Sequence, residues 1–144
     1  MNKKDTVVFD LDGTLLDTLE DLKNSVNYAM TQCGYPEHTL DEVRRYVGNG
    51  ILLLMQRAIP GGKDDPNFDK AFTLFKEHYG KHCNDTTKPY AGIMELLHTL
   101  KENNIKIAIV SNKADFAVKE LNAIYFKDLI PVATVSYTYL TLPT

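Results

Sequence analysis

The chain has 144 residues, 44% hydrophobic and 24% charged, with a formal net charge of −3. These values exclude a disordered tail, a collagen-like repeat and a disulfide-stapled miniprotein, and give no electrostatic ground for nucleic acid or an anionic membrane as partner. No run approaches the roughly 18 apolar residues of a membrane span, and the apolar run after Met1–Asp5 is too short for a secretion signal. A cytoplasmic protein with Cys33 and Cys83 as free thiols is expected.

Thr6-Val7-Val8-Phe9 is apolar without alternation, as suits a central strand of a parallel sheet covered on both faces. It stops at Asp10-Leu11-Asp12-Gly13-Thr14, a polar loop at a strand's carboxyl end, the edge where open α/β sheets bind ligands. Leu19, Leu22, Val26, Ala29 or Met30, and Cys33 then share one helical face, and Gly34-Tyr35-Pro36 ends that helix. Thr39 and Glu42 have capping-box spacing at the start of a short helix carrying Val43 and Val47, which stops at Gly48-Asn49-Gly50. Ile51 to Ile59 reads as a third helix, closed by Pro60-Gly61-Gly62. Asp65-Pro66 opens a fourth, with proline in its first turn and Phe68, Phe72, Phe75 and Tyr79 as its apolar stripe. Four short helices in succession make a small bundle.

After Thr87-Lys88-Pro89 a helix with Ile93, Leu96, Leu97 and Leu100 leads into a second apolar strand, Ile105 to Val110, again ending in a polar loop, Ser111-Asn112-Lys113. A further helix with Phe116, Val118 and Leu121 precedes a third strand over Pro131–Val135. This order is that of an α/β core with an all-helical cap inserted after its first strand. The expected division is residues 1–16 and 88–135 as core and 17–87 as cap. No charge occurs from Leu129 to Thr144, and residues 136–144 are expected to form a non-native tail outside the fold.

Asp10 and Asp12 are two apart in an extended segment, so both carboxylates can face one pocket, one as nucleophile and the other as proton donor or acceptor. Gly13 permits close backbone approach beside them. The histidines have no metal-site spacing: His78 and His82 are four apart on a helix but lack the accompanying glutamate of a zinc protease, and all four read as surface residues. Arg44, Arg45 and Arg57 read as exposed helix charges, Asp17 as a helix cap or a functional contact, and Lys119 and Lys127 as solvated. Lys113 fits a helix start as well as a phosphate contact.

Asp10-Leu11-Asp12-Gly13-Thr14-Leu15 resembles the first motif of the haloacid-dehalogenase-like hydrolase superfamily, and Val110-Ser111-Asn112-Lys113 resembles its second. Lys88 to Leu100 is similar to the segment re-entering the core from a helical cap. Tyr46-Val47-Gly48-Asn49-Gly50 is similar to the cap loop of the phosphoglycolate phosphatase branch. The resemblance implies a Rossmann-like parallel sheet in which Asp10 attacks phosphorus, Asp12 transfers protons, and Ser111 with the Asn112 amide holds phosphate oxygens. Gly48, Asn49 and Gly50 would select the substrate, and Mg2+ would bind Asp10 and the carbonyl of Asp12. The implied substrate is a small phosphorylated metabolite, phosphoglycolate foremost.

The family's later motifs, a cationic phosphate contact and a Gly-Asp pair with further acids, do not occur in these 144 residues. An incomplete core, an unpaired edge on the first strand and impaired activity are therefore expected. A sugar phosphomutase of the same fold is the alternative enzyme, and a non-catalytic fragment or binding module the alternative of another class. A dehalogenase is disfavoured, because that chemistry needs no second acid at Asp12.

Overall fold

The computed structural model describes residues 6–111, 115–126, 129–130 and 132–135. In chain order the elements are β1 (Thr6–Phe9), β2 (Leu16–Asp17), α1 (Leu19–Gln32), α2 (Leu40–Tyr46), α3 (Ile51–Ala58), α4 (Phe68–His82), β3 (Lys88–Pro89), α5 (Ile93–Glu102), β4 (Lys106–Ser111), α6 (Asp115–Tyr125) and β5 (Val132–Val135). They fall into two compact units, one made by the residues up to Asp17 with those from Lys88 onward, the other by Thr18–Thr87. Among the described residues no helix is long and apolar enough to cross a membrane.

The first unit is an α/β structure with a parallel sheet in the order β1-β4-β5, Phe9 standing opposite Ile109 and Ser111 opposite Val135. The steps into β4 through α5 and into β5 through α6 run the same way across the sheet, so right-handed crossovers put both helices on one face. Ile107 and Ile109 of β4 are 2% and 0% exposed, while Ala108 and Val110 between them are only half-buried. Among the described residues β4 lies between β1 and β5, and β1 has the unpaired edge expected from the sequence. Among the described residues β1 pairs with β4 alone, and Val8, the register partner of Ala108, is 52% exposed. An apolar run without alternation reports that both faces of a strand can be covered. It does not report how many strands flank it.

Two further departures have local causes. Asp17 is not a helix cap: it pairs with Lys88 in the antiparallel β2–β3 ladder, and Thr18 occupies the N-cap position of α1 without making a side-chain capping bond there. Leu96 is 43% exposed, because Leu97 alone of α5 is fully buried. The end of α5 follows a Schellman pattern, with Asn104 at φ 61°, the Ile105 N–H donating to Leu100 O at 2.9 Å and the Asn104 N–H to Lys101 O at 3.0 Å. Val118 and Leu121 of α6 are buried as expected. Pro131 and the 136–144 segment lie outside the described residues.

The second unit is held by α1 against α4, whose buried residues are Leu22, Val26, Ala29 and Met30 on one side and Phe68, Ala71, Phe75 and Tyr79 on the other. Phe72 falls beside that stripe, half-buried, with Lys76 Nζ 4.5 Å from its ring centroid. Gly34, at φ 78°, turns the chain out of α1 while the Tyr35 N–H donates to Met30 O at 2.8 Å. The capping box opens α2: the Thr39 N–H donates to Glu42 Oε1 at 2.8 Å, and the Glu42 N–H to Thr39 Oγ1 at 3.2 Å. Helix α4 begins at Phe68 rather than at Pro66, because the Asp65 carboxylate organises a separate turn. It accepts the Tyr35 hydroxyl at 2.5 Å, the Asn67 N–H at 2.8 Å and the Gly61 N–H at 3.2 Å. The Tyr35 hydroxyl, then the Asn67 N–H, hold the Asp65 carboxyl below its ordinary range.

A buried polar tie joins the two ends of the second unit. Asp21, in the first turn of α1, is 1% exposed. Its Oδ1 accepts the Thr86 hydroxyl at 2.9 Å, and its Oδ2 the Thr87 hydroxyl at 2.7 Å; the Thr86 N–H lies 2.9 Å and the Thr87 N–H 2.9 Å from Oδ2. A buried carboxylate costs several kcal/mol unless its lone pairs are met, and here two hydroxyls and two amides meet them. Asp21→Asn would turn an NH2 group onto those donors. Urea unfolding should show a loss of about 3 kcal/mol; a loss below about 1 kcal/mol would show that the tie carries little.

Candidate active site

The loop after β1 is built on leucines. Leu11, Leu15 and Leu16 are each 0% exposed, and burying each contributes on the order of 2 kcal/mol. The Leu11 carbonyl accepts the N–H groups of Leu15 at 3.0 Å and Leu16 at 3.1 Å, and the Gly13 N–H donates to Leu16 O at 3.0 Å. The Tyr90 N–H donates to Leu15 O at 3.2 Å, tying the loop to the segment after β3. Buried leucines at both ends leave the polar residues between them outward: Asp10, Gly13 and Thr14 are exposed and Asp12 is half-buried. The Asp10 carboxylate accepts the Leu11 N–H at 2.8 Å, which fixes one of its oxygens close to the turn. The motif pointed to the aspartates; the leucine anchor that presents them is legible only as the spacing of Leu11, Leu15 and Leu16.

Because β1 and β4 are parallel neighbours with Phe9 opposite Ile109, Asp10 and Ser111 emerge at the same carboxyl edge of the sheet. Ser111 is the last residue of β4 and 2% exposed. The structure therefore brings Asp10, Asp12 and Ser111 to one edge, all within the first unit. Asn112 and Lys113 lie outside the described residues, as does Lys127; Lys119 is exposed on α6.

Gly48, Asn49 and Gly50 belong to the second unit, where they join α2 to α3. Gly48 has φ 114° and Gly50 φ 91°, both in the left-handed region, and Gly48 and Asn49 are exposed. Of the arginines beside this turn, Arg44 pairs with Asp41 and Arg57 donates to the Tyr46 carbonyl at 2.8 Å, while Arg45 is exposed.

His98 is exposed, as the surface reading expects, but His38 and His78 depart from it. His38 Nε2 lies 2.7 Å from the carbonyl of Ala58, at the end of α3. His78 is half-buried, with Nδ1 2.8 Å from the Oγ of Ser25. A helix position predicts a side chain's direction but not the neighbour it meets. Among the described residues no three histidine, cysteine, aspartate or glutamate side chains form a cluster able to hold a metal ion. Asp10 and Asp12 offer hard carboxylate oxygens, the donor class that magnesium prefers, and water can complete its shell. Cys33 and Cys83 are thiols not joined in a disulfide, Cys83 buried and Cys33 half-buried.

A family model described as haloacid dehalogenase-like hydrolase matches residues 7–140. The phosphoglycolate phosphatase of Thiobacillus denitrificans is 36% identical over 113 residues, covering 76% of this chain and 50% of that protein. That of Nitrosospira multiformis is likewise 36% identical over 113 residues, with the same coverage of 76% and 50%. The chain thus spans about half the length of these curated relatives. A crystal structure described as a predicted phosphoglycolate phosphatase from Haemophilus somnus matches with TM-score 0.86 and 28% identity, covering 100% of this chain and 66% of that one.

The Gly13 position gives a test of the loop. It has φ 76°, and a Cβ there would meet no heavy atom within 4 Å. The cost of Gly13→Ala is then conformational rather than steric, about 1–2 kcal/mol by chemical denaturation, with Gly13→Asn costing less. Equal losses for the two variants would point to a hidden contact instead.

Proposed function

The chain belongs to the haloacid dehalogenase-like hydrolase family, and on that footing we propose that it carries the nucleophile-bearing part of a phosphatase acting on a small phosphomonoester, phosphoglycolate foremost. The observation that carries this reading is the parallel β1–β4 pairing, with Asp10 and Asp12 after one strand and Ser111 ending the other. The names of the relatives support the substrate class.

Asp10, exposed and with one oxygen tied to the Leu11 N–H, is the nucleophile. Its carboxylate forms a bond to phosphorus as the ester P–O bond breaks, giving an acyl phosphate and an alkoxide leaving group. Asp12, on the same turn, gives that alkoxide its proton. It then takes a proton from the water that attacks phosphorus, releasing inorganic phosphate and restoring Asp10. Ser111, with the amide of Asn112, holds phosphate oxygens, and the Gly48-Asn49-Gly50 turn selects the substrate. Asp10 and the Asp12 carbonyl are the groups that would hold Mg2+, which supplies charge neutralisation between a phosphate dianion and a carboxylate; that repulsion is several kcal/mol at about 4 Å and an effective dielectric of about 20. With Asp10 and Asp12 as its acids, this chain by itself should turn over orders of magnitude more slowly than one of the relatives' length.

Phosphate release from a panel of phosphomonoesters with Mg2+ tests the reading, using both this chain and a version extended to the relatives' length. The extended chain should favour phosphoglycolate and should lose at least about 10³-fold in kcat on Asp10→Asn. Release from no phosphomonoester, or a full rate in Asp10→Asn, would remove the assignment. Conversion of one sugar phosphate into another without release would favour the phosphomutase.

A further inference from the structure

The α1–α4 seam carries a column of rings. Tyr28 of α1 stacks on His78 of α4 with centroids 4.5 Å apart, and His78 stacks on His82, one turn further along α4, at 4.3 Å. His82 Nδ1 lies 2.8 Å from Asp85 Oδ2, just past the end of α4. At the other end of the seam's contact, His78 Nδ1 lies 2.8 Å from the Oγ of Ser25, a hydroxyl that is 0% exposed. We propose that this column is a proton-operated fastener between α1 and α4, closed while His78 is neutral and loosened when both imidazoles carry charge.

Hydrogen bonding is one half of the fastener. A neutral imidazole can accept the Ser25 hydroxyl proton at Nδ1, whereas a protonated one can only donate. Charging His78 therefore obliges a fully buried hydroxyl to turn its proton to another acceptor. Electrostatics is the other half. A charge on His78 stands against a charge on His82 at stacking distance, with water partly excluded. The groups acting on His78 from the elements around it are Ser25 and Tyr28 on α1, His82 on α4 and Asp85 after α4. The Tyr28 ring face and the Asp85 carboxylate favour the charged ring. Burial, first, and the neighbouring His82 disfavour it and prevail, holding His78 below the ordinary histidine range. A depressed folded value means that the stabilisation is complete above the unfolded value, about 6.5, and is lost as pH falls through the folded one. The fastener thus opens on the acid side of neutrality. Its release would loosen the seam that joins the first helix of the second unit to the last.

Proton and nitrogen NMR of the whole chain tests this without a mutation. His78 should titrate below about pH 6.5, and the ring signals of Tyr28 should move with the same midpoint. Two substitutions should displace that midpoint in opposite directions by about half a unit each: His82→Gln upward and Asp85→Asn downward. The thermal midpoint of the wild type should fall between about pH 6.5 and 5 more steeply than that of His78→Gln. A His78 midpoint at or above 6.5, Tyr28 signals indifferent to it, or an equally steep fall in His78→Gln would each overturn the proposal.

Discussion

The candidate site depends on one long-range pairing, β1 with β4, which sets Phe9 beside Ile109 across the whole of the helical unit. Closing a flexible loop of about 100 residues costs roughly 4 kcal/mol by chain statistics. The chain does not close it as a flexible loop. Thr18–Thr87 forms its own core, and its two ends are held near each other twice: by Asp17 against Lys88 in β2–β3, and by Asp21 against Thr86 and Thr87. With the insertion folded and its ends joined, the span left to close between β1 and β4 is a short loop on one side and α5 on the other. The buried carboxylate of Asp21 is thus connected to the site through topology, since it shortens the path by which Asp10 meets Ser111.

The sheet edge and the sheet faces follow from the same topology. Two crossovers in one direction cover one face with α5 and α6, which is why Ile107 and Ile109 are buried and Val8 is not. The loop at the carboxyl edge is stable for a separate reason, since three buried leucines hold its ends and leave two carboxylates outward. A mobile loop could not keep the proposed nucleophile and proton carrier in register with a serine on the next strand. The apolar anchors act together with the backbone bonds at Leu11 and Gly13 to hold the loop.

What the sequence makes legible is what local chemistry determines. The Asp10-Leu11-Asp12-Gly13-Thr14 motif, the Thr39–Glu42 capping box and the glycine end of α1 each depend on residues within a few positions. What it hides depends on distant partners. Asp21 follows Glu20 in the first turn of α1, where either acid suits the helix dipole; Glu20 is only half-buried, and only the fold brings Thr86 and Thr87 to its neighbour. A signal does exist, since Asp21, Ser25 and Tyr28 place polar groups one turn apart on a helix whose apolar residues must face the same way. His78 was hidden in the same manner, its character set by Ser25 and Tyr28 on another helix. The apolar run of β1 is legible as a strand that can be covered on both faces, whereas which strands pair with it is not a local property.

On the proposed function, β1–β4 pairing would make the Asp10–Thr14 loop and Ser111 a single anion-recognising edge. Titrating inorganic phosphate with Mg2+ into nitrogen-labelled protein, and following backbone amides, tests it most directly. The amides of Asp10 to Thr14 and of Ser111 should shift together and fit one dissociation constant. Shifts confined to one of the two loops, or two unrelated affinities, would contradict the account.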